Sequence, residues 1–269
     1  MIPKKIHWCW LSNNPLPAKI QECIHSWKRV MPDYEIILWD KQRFDIHSVK
    51  FAEDAYNARK WAFAADYIRV YALYTEGGIY LDSDVMIFRR FDEFLHHSAF
   101  SSVEYLPNLL PERSKENPYA GYGIQAAVIG AEKGNIWMKA CLDSYQDRKF
   151  KLKENGDVDV DVCPVVLARY AHKLLGFQYD IPYKTPQYLQ DNTVIYPPKI
   201  FATLFGEVDM QTYAVHIWQG SWANENTKKP SKMILTIKEF YKRMCGNNRF
   251  FAMLHYKRKV LFNQHIQIK

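Results

Sequence analysis

Residues 77–88 read GGIYLDSDVMIF: two glycines open an apolar run, and the run meets two carboxylates, Asp82 and Asp84, one residue apart. A buried strand would ordinarily take another valine at these places. An ionised carboxylate withdrawn from water is strongly destabilising unless a cation or hydrogen-bond donors compensate it. The stretch therefore demands a partner, and the fold has to supply or admit one. Strand side chains alternate, so Asp82 and Asp84 are expected to face one side. Two acids on a rigid strand end suit a hard divalent cation, with coordination positions left for phosphate oxygens and water.

The surrounding pattern is that of an alternating α/β chain. KKIHWCW (4–10) reads as a short buried strand, and PLPAKIQECIHSWKRV (15–30) as a helix opened by proline and stopped before Pro32. YEIILWD (34–40) is a second strand. Residues 49–75 carry one long helical pattern rich in alanine and aromatics, with Gly77 and Gly78 at its C-cap. IYLDSDVMIF (79–88) is a third strand, interrupted at its acidic pair. Strand–helix–strand–helix–strand predicts a sheet whose ligand crevice lies beyond the strand C-termini.

The second half is less regular. FSSVEY (100–105) and QAAVIGAE (125–132) read as strands on either side of a polar, proline-containing loop, 107–121, which suits a lid or an acceptor-binding wall. NIWMKACLDSYQD (135–147) reads as a helix, NGDVDVDVCP (155–164) as an exposed acidic loop, and YAVHIWQGSW (213–222) as a late strand and turn.

With 269 residues, 48% of them hydrophobic, the chain is long enough for one large α/β domain, expected over 1–227. Its net charge of +7 is unevenly placed: residues 228–269 carry +10 and the remainder −3. Met233, Ile237, Phe240, Tyr241 and Met244 recur there at helical spacing, so the tail is expected to be a basic amphipathic segment. It either packs on the domain with a solvated basic face or lies on an anionic membrane surface. No nucleic-acid-binding motif accompanies the charge, and no nucleic-acid partner is expected. No window approaches the roughly 18 apolar residues of a membrane span, and the opening apolar run is too short for a secretory signal, so a cytoplasmic protein is expected, peripheral at the inner face of the membrane if the tail docks there. Cys9, Cys23, Cys141, Cys163 and Cys245 are odd in number and form no CxxC pair, which points to reduced, buried thiols rather than disulfides or zinc.

Upstream of the acids, FAADYIRVYALYTEGG places Asp66 and Arg69 three apart on one helix face. A surface ion pair of this kind contributes little, but the neighbours Ala64, Ala65, Ile68 and Val70 are apolar and argue for a half-buried pair. An arginine, an aspartate and a metal site together suit a diphosphate and a sugar hydroxyl.

These segments, with IPKKIHWCW, CIHSWKRVMPDYEIILWD and HIWQGSW, resemble the family 32 glycosyltransferases, which carry a DXD motif, and are similar to the catalytic core of the glucosylating toxins. The resemblance is dense over 2–95, sparse over 96–212, and returns at His216 to Trp222. It implies a GT-A fold, a central mixed sheet flanked by helices, and a retaining transfer from a nucleotide-sugar, UDP-linked in preference to GDP-linked, to a saccharide acceptor. Bacterial capsule, O-antigen or other surface-polysaccharide synthesis is the implied setting, with Mn²⁺ or Mg²⁺ the implied cofactor and a lipid-linked acceptor if the tail binds membrane. By the same resemblance Trp10 stacks on the nucleotide base, with Trp8 as the alternative. Asp66 and Arg69 grip donor sugar and phosphate, and Tyr80 contacts the donor. Asp84 is the direct metal ligand, Asp82 reaches ribose or metal-bound water, and His216 is an additional ligand. Ser221 and Trp222 close over the diphosphate, and Gln125 touches the donor sugar.

Two other readings compete. Haloacid-dehalogenase-like phosphatases also place D-x-D after an apolar strand, with Asp82 then the nucleophile and GDVDVD (156–161) the later metal-binding acids. Against this, Met86 replaces the expected Thr or Val, and the motif lies far from the N-terminus. The third reading is a non-catalytic nucleotide-sugar-binding module.

Overall fold

The structure, a computed structural model, describes residues 1–114, 118–156, 158–201 and 211–217. The chain divides into two units, Met1–Trp222 and Ala223–Lys269, and the second, with the basic tail, lies outside the described residues.

Seven strands follow one another across the main sheet. β1 (Lys5–Cys9) lies between β2 (Glu35–Trp39) and β3 (Gly78–Leu81), parallel to both. β3 then pairs antiparallel with β7 (Val128–Ala131), and β7 with β5 (Ala99–Tyr105). β5 runs parallel to β9 (Thr193–Tyr196), and β8 (Gln187–Tyr188) closes that edge. β6 (Tyr122–Ile124) pairs with β5 off this path. The result is the α/β architecture with a central mixed sheet that the sequence predicts.

Both faces of the sheet are covered, as a parallel centre requires. Alternation on β3 sends Tyr80 to one core and Ile79 and Leu81 to the other. Tyr80 meets residues of α2 (Lys50–Asn57), α3 (Trp61–Glu76), α4 (Ile136–Asp143) and α5 (Cys163–Leu175). The opposite core joins α1 (Ala18–Val30) to an aromatic cluster of Phe91, Phe94, Phe100, Phe201 and Tyr213.

Two expectations about single elements are corrected. The helical pattern of 49–75 is broken at Ala58–Lys60, where Arg59 adopts φ 57°, so it forms two helices packed on each other. The third strand also divides. After Leu81 the chain turns, with Val85 N–H donating to the Asp82 carbonyl at 3.0 Å, and β4 (Val85–Ile87) leaves the main sheet to pair antiparallel with β10 (Ala214–His216). Helix α1 fixes β4 from its other side. Trp27 Nε1 donates to the Val85 carbonyl at 2.7 Å, and Ile87 N–H donates to Ser26 Oγ at 3.0 Å.

The glycine pair that precedes the acids is required by close approach. Gly77 has φ +67°, and a Cβ there would lie 2.6 Å from the Lys133 backbone nitrogen. The loop expected over 107–121 contains a 3-10 helix, Pro107–Glu112, and a turn ending at Gly121.

Candidate metal and donor site

Asp82 stands where β3 ends, its backbone N–H still donating to the Ala127 carbonyl at 2.9 Å. Asp84 is two residues on, across the turn and next to β4. The acids therefore meet through a turn and not through strand alternation, which corrects the sequence expectation while keeping its outcome. Register then brings the third group: His216 lies opposite Val85 in the β4–β10 pair, and Ile217 N–H donates to the Asp84 carbonyl at 3.0 Å. His216 Nε2 is 3.0 Å from Asp84 Oδ1.

One ligand atom from each of Asp82, Asp84 and His216 falls within a 4.8 Å spread. Burial opposes a charge on His216, but the adjacent Asp84 carboxylate outweighs it and raises the imidazole above its usual range. The trio thus favours positive charge between its members. Two carboxylates and one imidazole are also the donor set that a divalent cation such as Mn²⁺ accepts, so the residues present fit the metal that the motif implies.

Behind Asp82 sits a second layer. Arg69, 5% exposed, reaches from α3 to Asp82, with Nη2 2.8 Å from Oδ1, while Nη1 lies 3.3 Å from Asp66 Oδ1. The guanidinium lies over the Tyr80 ring, 4.7 Å from its centroid. Tyr80 is 1% exposed, so it supports Arg69 from below. Among the described residues Arg69 Nε has no hydrogen-bond partner.

Asp66 does two things at once. Its carboxylate accepts the backbone N–H of Cys163, the first residue of α5, as well as facing Arg69. Burial still pushes it up to about 6, the arginine only partly offsetting that rise.

The remaining expectations separate on burial. Trp8 is core, packed edge-on against Trp27 at 6.0 Å. Trp10, half-buried just past β1, is held by a hydrogen bond from its Nε1 to the Asn14 carbonyl at 3.1 Å. It stands beyond the C-terminal end of a strand adjacent to β3, so Trp10 and not Trp8 shares the Asp82 edge of the sheet. Gln125 is 4% exposed, and its amide is taken up by the turn before β7. Nε2 donates to the Val128 carbonyl and to Ser101 Oγ, and Oε1 accepts from Val128 N–H at 2.8 Å. The expected contact with a donor sugar is replaced by that turn. Ser221 and Trp222 lie outside the described residues. Of the acids of 156–161, Asp157 lies outside the described residues, Asp161 pairs with Arg169 at 2.7 Å, and only Asp82, Asp84 and His216 form such a group among the described residues.

Glu104 was not singled out from the sequence. It lies on β5 opposite Gly123 of β6, and burial pushes it up to about 7, with His216 drawing it down. The alternation of FSSVEY makes its sidedness readable, but nothing in that string marks a functional acid.

Residues 17–101 match the family described as "Glycosyltransferase sugar-binding region containing DXD motif". Among curated relatives, inositol phosphoceramide mannosyltransferase 3 of Schizosaccharomyces pombe is 34% identical over 107 residues, 37% of this chain and 29% of that protein. Glucan organizing enzyme 1 of Cryptococcus neoformans var. grubii is 30% identical over 88 residues, 33% of this chain and 23% of that protein. The chain thus spans less than a third of the length of either relative. Among solved structures, the PaToxG glycosyltransferase has a TM-score of 0.45 at 19% identity, covering 64% of this chain and 69% of its own. The galactosyltransferase LgtC in complex with donor and acceptor sugar analogs has a TM-score of 0.33 at 18% identity, covering 53% and 65%. Asp66, Arg69, Asp82 and Asp84 all fall inside the segment, residues 17–101, that matches this family.

Proposed function

We propose that the chain is a divalent-metal-dependent glycosyltransferase that moves a hexose or N-acetylhexosamine from a nucleotide-sugar to a saccharide acceptor, with UDP-sugars the first donors to test and GDP-sugars the second. The observation that carries this reading is the Asp82–Asp84–His216 group at the end of β3, backed by the buried Arg69. A bound Mn²⁺ or Mg²⁺ would stabilise the charge on a departing diphosphate.

The chain's own residues have separable tasks in this reading. Asp84 and His216 are the ligands nearest each other, and Asp82 completes the set. Arg69 holds Asp82 in place and neutralises its charge, because both terminal nitrogens face carboxylates and the side chain is buried. It is therefore a positioning residue, and Tyr80 is its floor. Trp10 offers an aromatic face to the base, a stack typically worth about 1–3 kcal/mol. Asp66 remains the group for a sugar hydroxyl.

Retention at the anomeric carbon and a place in surface-polysaccharide synthesis follow from the family resemblance and belong to the same proposal. Contact of the basic tail 228–269 with anionic lipid is a separable part. Co-sedimentation with phosphatidylglycerol vesicles should fall when the tail is deleted, and unchanged binding removes that part. The test of the main reading is a screen for nucleoside diphosphate release from UDP- and GDP-sugars with Mn²⁺, repeated with EDTA. Metal-dependent release supports it. Metal-dependent donor binding without turnover against any acceptor would favour a binding module, and phosphate release from phosphomonoesters would favour the phosphatase.

A further inference from the structure

A cleft of about 190 Å³ opens between β5, β6, the start of α5 and the 3-10 helix 107–112. Glu104, Leu109, Tyr119, Tyr122, Val162 and Pro164 are among its walls. It is smaller than the roughly 300–1,000 Å³ that encloses a drug-sized ligand, and of a size for a single sugar ring.

Its chemistry is mixed in a particular way. Leu109, Val162 and Pro164 supply apolar surface, Tyr119 and Tyr122 supply aromatic faces, and the ionisable groups lining it are two acids, Glu104 and Glu112. Arg169, which donates from Nε to Tyr119 Oη at 3.1 Å, is neutralised by Asp161. Gly123 forms part of the floor, where a Cβ would make ordinary contact, 3.7 Å from the Pro164 carbonyl oxygen and 3.9 Å from Glu104 Oε2, and a longer side chain would enter the cleft. Among the described residues no hydrogen-bond donor meets the half-buried Glu104 carboxylate, which lines the cleft. A carboxyl in that position is an incomplete hydrogen-bonding site.

The cleft also lies beside the site already described. Cys163, at the start of α5, donates its backbone N–H to Asp66, and Val162 and Pro164 on either side of it line the cleft. His216 lies close enough to Glu104 to draw its carboxyl down.

We propose that this cleft binds an uncharged, hydroxyl-bearing saccharide, the acceptor of transfer, and that Glu104 hydrogen-bonds its hydroxyl groups. The proposal rests on the glycosyltransferase reading above. Apolar and aromatic walls take the C–H faces of a pyranose, and Glu104 takes its polar edge. The carboxyl oxygens of Glu104, which line the cleft, accept hydrogen bonds from those hydroxyl groups. Among the described residues the lining carries two carboxyl groups and no Lys, Arg or His, which disfavours an anionic sugar.

The test is saturation-transfer NMR on the full 269-residue chain with methyl α-mannopyranoside, methyl β-galactopyranoside and methyl β-glucopyranoside, against a methyl glucuronoside. Transfer to one or more neutral glycosides and none to the glucuronoside is expected. Glu104→Ala should weaken that binding about tenfold, the scale of one hydrogen bond to a charged group, and Gly123→Leu should abolish it by filling the cleft. Glu104→Ala should also leave thermal stability unchanged or higher, because a desolvated, unpartnered carboxyl does not stabilise the fold, whereas a structural role predicts a loss. No transfer to any neutral glycoside, equal binding of the glucuronoside, or unchanged binding in both variants overturns the proposal. Nucleotide-sugar binding with Mn²⁺ is measured in parallel. Its absence from the native chain would defeat the glycosyltransferase reading alone, and glycoside binding would still decide the cleft.

Discussion

Arg69 Nη2 stands 2.8 Å from Asp82 Oδ1, joining the middle of α3 to the last residue of the β3 ladder through a guanidinium that is itself buried. One cation thereby compensates the acid that the apolar run could not accommodate alone, and it shares its other end with Asp66.

Removing that cation should show first as lost stability. Arg69→Met leaves Asp66 and Asp82 facing each other in a poorly hydrated pocket, a loss of about 3 kcal/mol. The melting temperature should fall by about 6–12 °C. Asp66→Asn in the same chain should recover part of the loss, because the two sites share one network. Additive losses in calorimetry would contradict the shared network.

Asp84→Ala should separate chemistry from folding. Its side chain pairs with His216 and not with Arg69, so the buried cation keeps its partners. Metal-dependent release of nucleoside diphosphate should drop about 100-fold or more while circular dichroism and melting temperature change little. Full activity in this variant would remove Asp84 from the site.

Asp66→Asn should be close to neutral for stability. The folded carboxyl titrates near 6, above its ordinary value of 3.8, so the folded chain binds the extra proton in that window and the group's contribution falls as pH rises through it. At pH 7.5 the amide relieves that burden and still offers an oxygen to Cys163 N–H. Donor turnover should nevertheless fall about 10–100-fold, the loss from one hydrogen bond to a charged group.

His7 gives a pH dependence of the opposite sign. Trp39 Nε1 donates to its Nδ1 at 3.0 Å, so Nε2 carries the proton and donates to the Gly77 carbonyl at 2.8 Å. Burial lowers the imidazole below 6.5, and the unfolded chain protonates first. This contribution is complete above pH 6.5 and diminishes as pH falls below it. Urea midpoints at pH 7.5 and 5.0 should differ more for the native chain than for His7→Gln.

Gly130→Ala tests the packing between β7 and β5. A Cβ there would lie 2.1 Å from Phe100 Cε1, inside the aromatic core, and should destabilise the chain by about 1–3 kcal/mol in denaturant titration.

Much of this was legible in the sequence because the signals are local. Apolar runs bounded by turns gave β1, β2 and β3. The i,i+3 spacing of Asp66 and Arg69 put them on one face, and the cost of two acids after an apolar run called for a cation. Other elements carried no such signal. The helix CPVVLARYAHKLL was not separated from its acidic approach, and the short strands β6 and β8 fall below the length at which alternation can be read. The break at Arg59 was hidden because helical periodicity continues on both sides of it.

By itself, then, the sequence determined that Asp82 and Asp84 need a positive partner and that Arg69 and Asp66 lie near it, because burial energetics and helix spacing depend on neighbours in the chain. Tertiary structure alone decided which partners those are. Strand register placed His216 opposite Val85, 131 positions away, and so beside Asp84. Packing under β3 made Tyr80 a support and Gln125 a turn residue. Pairing of β5 with β6 left Glu104 in a cleft opposite Gly123. Long-range register and side-chain burial are properties of the assembled sheet, and no window of the chain contains them.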